Sequence, residues 1–484
     1  MLALDAPDLT IARWLIERGL GAIYAIAFVV AARQFPPLAG ERGLTPATRL
    51  LAVVPFRRTP SIFHWRYSDR LLVGVSWFGA ALAVAVLLGL PQLMPLPLTM
   101  LAWFVLWALY QSIVNIGGTW YGFGWESMLL EAGFLAIFLG NAQVAPPLIV
   151  LLAYRWMGFR VEFGAGLIKV RGDPCWRQLR CMDYHHETQP MPNPLSWHAH
   201  RTPRGFHRLE AVGNFVAQLV LPFGLFMPQP VATLAALLMI ATQGYLILTG
   251  NYAWLNWLTL VVLISAVGDP VARAVMPLGP APVYAETPPW FAGLVLALGL
   301  LVIVLSVRPA MNLLSPNQAM NASFDPLHLV NTYGAFGTVS RERYEVIVEG
   351  TDVAELHRDT VWREYEFPGK PGDPHRRPPQ VAPYHYRLGW LLWFVPLSPA
   401  YGEGWLSALL LRLLEGDAGT RRLLRHDPFP EIPPTHVRAR LVHYRFTTRQ
   451  ERRATGDWWV RRPVADLVPP VRLRGTTATS ATGP

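Results

Sequence analysis

Apolar residues gather into long runs over the first two-thirds of the chain. Runs at 19–34, 71–90, 98–114, 126–140, 145–159, 212–227, 231–249, 253–268 and 290–307 predict nine helical spans. A bilayer crossing takes about 20 mostly apolar residues. The runs at 71–90, 231–249 and 290–307 satisfy that length. Those at 19–34, 126–140 and 145–159 are short or charged, and read as re-entrant or covered by other helices. Pro91, Pro95, Pro97, Pro146, Pro147, Pro228 and Pro230 mark turns between spans.

After Arg308 the pattern changes. "RYEVIVEG" alternates apolar and polar positions, the period of a half-buried strand. "WREYEF", "HVRARLVHYRF" and "DWWVRR" also read as strands. "WLSALLLRLLEG" reads as a helix closed by Gly416. "FPGKPGDPHRRPPQVAP" reads as a proline-rich basic loop. The predicted fold class is a polytopic α-helical membrane bundle over 1–307, with a large loop at 160–211. A soluble, strand-rich α+β domain over 308–470 and a disordered tail over 471–484 complete it.

Composition supports the membrane reading. Charged residues make up 15% of the 484 positions, against about 25% in soluble proteins. Of the 42 Lys+Arg, 23 lie after residue 307, as do 18 of the 32 Asp+Glu. The net charge of +10 suits anionic lipid headgroups, so membrane lipids are the expected partner. There is no nucleic-acid motif, and nucleic acid is not expected as a partner. The first twenty residues carry acids where a signal peptide would carry cations, so no signal peptide is expected. Arginine in place of lysine, with abundant Ala, Leu, Gly and Pro, suggests a GC-rich bacterial genome and hence an inner membrane. Nine spans put the termini on opposite sides. Residues 33–70 hold seven arginines against Glu41 and Asp69, and 160–208 hold eight Lys+Arg against four acids. Both loops share the face of the C-terminal domain, and the positive-inside rule reads that face as cytoplasmic.

Several charges fall where lipid should be. Glu126 and Glu131 sit in or beside one apolar run; Arg155, Arg160 and Glu162 end the next. A charge near the bilayer centre costs at least about 2.5–3.5 kcal/mol, so such groups usually face the bundle interior and pair. Glu126 or Glu131 is therefore expected to pair with Arg155 or Arg160. Arg155 and Glu162, seven apart, share a helix face. Gly164 and Gly166 allow close helix packing.

The stretch "FGAGLIKVRGDPCWRQLRCMDYHHETQPMPNP" holds both cysteines and one of the two lysines. Cys175, Cys181, Asp183, His185, His186 and Glu187 could ligate a metal. The C-x5-C spacing is not that of zinc sites, so no metal is expected. Cys175 and Cys181 form a disulfide if the loop is extracytoplasmic and stay free thiols if it is cytoplasmic. Lys169, in an apolar setting, is either a buried base or a snorkelling interface residue. The proline- and aromatic-rich continuation, with Trp197, His198, His200 and Phe206 exposed, suits a docking loop. His207 and Glu210 read as a capping or packing pair.

Longer motifs carry a resemblance. "FGWESMLLEAGFLAIFL", "YRWMGFRVEFGAGLIKVRGDPCWRQLRCMDYHHETQPMPNPLSWHAHRTPRGFHRLE", "GNYAWLNWLTLV", "VNTYGAFGTVSRERYEVIVEGT" and "PGDPHRRPPQVAPYHYRLGWLLWF" resemble the lipase maturation factor family over nearly the whole chain. The resemblance implies a multi-pass membrane protein that supports folding of secreted dimeric lipases through its C-terminal region. In animals the family sits in the endoplasmic reticulum membrane, with that region in the lumen. This opposes the positive-inside reading and is preferred to it, because long domains translocate despite their charge. The family assigns no catalytic residues and no cofactor.

A shorter likeness points elsewhere. "FGAGLIKVRGDPCW" is similar to the stretch around the catalytic lysine of vitamin K-dependent carboxylases. It implies an alternative, a membrane enzyme using Lys169 as base on a lipid or quinone-like substrate. His185, His186 and Glu187 would be its acid–base candidates. Nucleophile-elbow, P-loop and dinucleotide motifs are absent, and the maturation-factor reading is preferred.

Overall fold

The computed structural model describes residues 5–276 and 282–473. Its helices run back and forth between two ends. At the far end Asp5 bridges Pro147, the amide of Ile11 donates to Asp269 Oδ1 (2.9 Å), and Arg13 donates to the carbonyl of Val144 (2.6 Å). At the other end Gln34 donates to the carbonyl of His385 (2.7 Å), Arg171 to that of Leu313 (2.9 Å) and Gln189 to that of Thr249 (2.9 Å). The C-terminal domain sits on this second end as a head.

Five helices are long and apolar enough to cross a membrane: Pro7–Ala39, Asp69–Leu88, Leu96–Ile116, Val231–Thr249 and Pro289–Leu314. Their outer faces carry exposed leucines and aromatics such as Leu98, Leu101, Phe104, Leu294 and Ile303, which suits contact with lipid tails. Local chemistry sets their ends. Ser68 caps the helix Asp69–Leu88 by accepting from the amide of Leu71, and left-handed Gly89 closes it.

Four further helices pack among them: Gly124–Ala136, Leu148–Arg171, Leu255–Ala266, and Arg204–Phe215, continued by a π turn at Val216–Val220 to Gly224. All nine expected runs therefore lie on helices, with different bounds. The run at 126–140 ends as a helix at Ala136 after 13 residues. At 1.5 Å per residue that is about 20 Å, short of the roughly 30 Å hydrocarbon core. Other helices cover it on nearly every side, which is how it carries two glutamates. The run at 145–159 is only the front of Leu148–Arg171, whose charged half continues the helix. The run at 19–34 grows to Thr10–Ala39.

The head is built on a four-stranded antiparallel sheet. Its spatial order is Arg363–Glu364, Arg343–Thr351, His436–Phe446 and Trp459–Val471. "WREYEF" supplies only the two-residue edge strand, because Glu366 turns away to bridge His426. "DWWVRR" opens a longer strand that reaches Val471. The tail expected at 471–484 lies outside the described residues from 474 onward. The helix Leu406–Leu414 buries Leu406, Leu409, Leu410, Leu413 and Leu414, and left-handed Gly416 follows it. A helix at Arg387–Phe394 follows the proline-rich basic loop.

The head does not stand apart from the bundle. Phe35, Trp120, Tyr121 and Trp125 share one continuous core with Val346, Leu388, Trp390, Leu391, Leu410 and Val437. The last membrane helix runs through the boundary expected at 307 to Leu314. The chain then folds back, and its strands Ala322–Ser323 and Asn331–Thr332 pair beside the bundle.

Candidate functional site: the polar seam between bundle and head

Two segments that follow the last membrane helix plug the head end of the bundle. Residues 326–337 enter first. Asn331 donates from its backbone and its side chain to Glu131 Oε2 (3.0 Å each), and the Tyr333 hydroxyl donates to the same oxygen at 2.7 Å. Arg160 holds Glu131 from the other side with both terminal nitrogens and donates to the carbonyl of Asn331 at 2.5 Å. The pair is fully buried, and its remaining lone pairs are met by the inserted segment. Gly164 makes room: a Cβ there would lie 2.3 Å from the carbonyl oxygen of Tyr333.

The second plug is "YHYR". Arg387 is buried and pairs with Glu126 at 2.7 Å, and it donates to the carbonyl of Trp120 at 2.6 Å. The other oxygen of Glu126 accepts from the Tyr110 hydroxyl at 2.5 Å. The guanidinium lies 3.5 Å from the centroid of the Tyr121 ring, a cation–π contact. Gln34 bridges the backbone on both sides, accepting from Arg387 and donating to His385. The partner of Glu126 thus comes from the head. Among the described residues Arg155 has no carboxylate partner; it donates to the carbonyls of Ser265 and Leu225 (3.2 Å each). Glu162 accepts from Gln218 (3.2 Å) and Gln243 (2.7 Å). Backbone carbonyls and neutral amides are the direct hydrogen-bond partners of these groups.

Lys169 belongs to that amide chain. Its ammonium donates to Gln218 Oε1 at 2.7 Å and lies 5.2 Å from the Trp176 ring centroid. It is buried rather than snorkelling. The other lysine, Lys370, is buried too and pairs with Glu345, which also pairs with Arg343 at 2.5 Å.

The large loop packs as a bracket between bundle and head. Cys175 and Cys181 are joined by a disulfide, with their Cα atoms 4.9 Å apart. Asp173 lies close enough to both sulfurs for a three-ligand set within 4.8 Å. Both sulfurs, however, are spent in the disulfide, and Asp173 pairs with Arg341 at 2.8 Å, which holds its carboxyl below the usual range. The other candidates take different hydrogen-bond partners. His185 Nε2 meets the Tyr252 hydroxyl (2.9 Å), which donates to Gln189 (2.5 Å). His186 meets Glu210 at 3.1 Å. Glu187 accepts from the amide of Phe446 at 2.7 Å and lies 3.5 Å from His200. His207 lies between Asp183 (3.0 Å) and the carbonyl of Ala199, so Asp183, not Glu210, is its partner. Burial pushes His185 and His200 down to about 3 and raises Glu187.

The expected docking set splits. His198 and Phe206 are exposed, while His200 is half-buried. Trp197 is buried: its indole donates to the carbonyl of Thr447 (2.9 Å), and it packs on Trp458. The head covers it, so an aromatic residue in a proline-rich loop faces another part of the same chain. Sequence reasoning missed Asn331, Tyr333, Arg387 and Gln34. The signal was a single arginine opening the apolar run "RLGWLLWF", and a polar "NTY" beside the last span.

A family model for the lipase maturation factor transmembrane domain matches residues 11–274, and one for the lipase maturation factor C-terminal domain matches 329–469. The chain belongs to the lipase maturation factor family. It is 40% identical to lipase maturation factor 1 of Mus musculus, over 95% of this chain and 87% of that protein. Against lipase maturation factor 1 of Homo sapiens it is 40% identical, over 95% and 88%. Lipase maturation factor 2 of Homo sapiens is 27% identical over 96% and 83%. No solved structure matches. The bracket, the second plug and all but the first three residues of the first plug fall within the matched regions. The local likeness to carboxylases finds no support in these relatives.

Proposed function

We propose that this chain is a membrane-embedded maturation factor that assists folding or assembly of a secreted lipase client. The observation that carries the reading is family membership across both the membrane part and the head, at 40% identity to proteins named for lipase maturation. The packing supports a scaffold. Lys169, His185, His186 and Glu187 each engage a different structural partner, and do not converge on one reacting centre. The plugs support a head that works as one body with the membrane part, across the boundary at 307.

The Cys175–Cys181 disulfide supports an oxidising compartment on the head side. That compartment is the endoplasmic reticulum lumen, or the periplasm if the membrane is a bacterial inner one; the relatives named above come from animals. The test is complementation. Animal cells lacking their own maturation factor receive this chain and a secreted dimeric lipase. Lipase activity per mass of secreted enzyme should rise with the chain present. Equal specific activity with and without it refutes the reading.

A further inference from the structure

The strap between the first two membrane helices, residues 47–67, carries a surface that no other described part of the chain covers. Val53, Phe56 and Trp65 are 82%, 45% and 78% exposed. Phe56 and Trp65 lie side by side, ring centroids 5.7 Å apart. Around them Arg49, Arg57, Arg58 and Arg66 are exposed. None of the four forms an ion pair among the described residues. The neighbouring acid, Asp69, is engaged by the Tyr67 hydroxyl (2.9 Å) and the Glu41 amide (3.0 Å).

The depth of the strap is set by its hydrogen bonds. Ser61 donates to the carbonyl of Ser112 (2.8 Å), the amide of Ile62 donates to Ser112 Oγ (3.2 Å), and Asn115 donates to the carbonyl of Pro60 (3.0 Å). Ser112 lies about one turn inside the end of Leu96–Ile116, a helix of 21 residues. Such a helix is about 30 Å long, the thickness of the hydrocarbon core. The strap therefore lies at the level where hydrocarbon meets headgroups on the head side. Its aromatic patch continues the apolar outer face of Asp69–Leu88, whose first turn exposes Leu71.

We propose that this strap is a lipid-seating element: Val53, Phe56 and Trp65 enter the interfacial zone of the head-side leaflet, and Arg57, Arg58 and Arg66 bind anionic phospholipid headgroups. Tryptophan with basic neighbours at this depth is the chemistry of an interfacial anchor. Unpaired arginines beside it select anionic over zwitterionic lipid. The element tethers the loop after the first helix to the leaflet, independently of any client.

The test uses the full chain in nanodiscs. Its native cysteines are joined, so one added cysteine takes a fluorophore. The sites are Trp65→Cys, Phe56→Cys, Leu300→Cys on the lipid-facing last helix (65% exposed) and Val361→Cys on the head (72% exposed). Doxyl-phosphatidylcholine should quench labels at 65, 56 and 300, and spare the one at 361. Doxyl-phosphatidylserine should quench the label at 65 more strongly than the choline lipid. An arginine near an anionic surface is worth about 1 kcal/mol, roughly fivefold in local lipid preference. Replacing Arg57, Arg58 and Arg66 by glutamine should remove the serine-lipid excess and leave the choline-lipid quenching. A label at 65 quenched no more than the one at 361 overturns the proposal, as does equal quenching by the two lipids. A label spared by lipid but shielded on adding a lipase also overturns it, in favour of a protein partner.

Discussion

Replacing Arg387 with methionine should loosen the head from the bundle. The guanidinium is fully buried against Glu126 at 2.7 Å. Methionine keeps much of the volume and removes the charge. Glu126 then keeps one strong partner, the Tyr110 hydroxyl at 2.5 Å. Breaking a buried pair from one side costs about 3–5 kcal/mol, because the remaining charge stays desolvated. At roughly 2 °C per kcal/mol, the low end for mid-sized domains, the apparent melting temperature falls by about 6–10 °C. Removing both charges, Glu126→Gln with Arg387→Met, should recover most of that loss, since a neutral pair of similar shape is close to neutral in stability. The assay is a double-mutant cycle of thermal melts in detergent, with limited proteolysis between residues 314 and 326 to report release of the segment after the last helix. Strictly additive single effects would show that the two groups do not act on each other, and the plug argument would fail.

Other consequences are independent of that pair. Tyr333→Phe removes one donor to Glu131 and leaves the ring over Arg160; a loss of about 1–3 kcal/mol is expected in the same melts, and an unchanged melt would count against the first plug. Opening the disulfide by Cys175→Ser with Cys181→Ser frees a short loop, worth about 2 kcal/mol in the chain-entropy treatment; reductant should lower the melting point of the parent and not of the variant. His185 is held neutral down to about 3, while its unfolded form takes a proton near 6.5. The unfolded state therefore binds more protons below 6.5, so His185 contributes stability that is complete above 6.5 and is lost as pH falls toward 3, by up to about 1.4 kcal/mol per unit. His185→Gln should flatten that part of the stability–pH curve by one proton; an unchanged slope would mean His185 is not buried neutral.

Much of the membrane part could be read from the chain because hydropathy reports burial in lipid directly. Every apolar run found a helix, and the "RYEVIVEG", "HVRARLVHYRF" and "WLSALLLRLLEG" segments took the elements their periods implied. The bounds moved where protein replaced lipid around a helix. Leu148–Arg171 carries its charges inside the bundle, so hydropathy alone stopped the run at 159. The charge partners were only half readable. Glu131 and Arg160 lie on neighbouring helices of one hairpin, and that proximity could be anticipated. Arg387 lies far along the chain, and no local pattern joins it to Glu126. The burial of Trp197 is invisible locally for the same reason: the strands and the turn that cover it are distant in sequence.

The long reach of these contacts also sets an order of events during synthesis. The helix with Glu126 and Glu131 leaves the ribosome well before the residues that complete its surroundings: Asn331 and Tyr333, and then Arg387, about 260 positions after Glu126. At 5–20 residues per second the delay is about 15–50 s. For that interval Glu126 must stay in water or be sheltered by the insertion machinery, while Glu131 gains Arg160 within 29 residues, and the nascent bundle remains open at one end until the head arrives to close it.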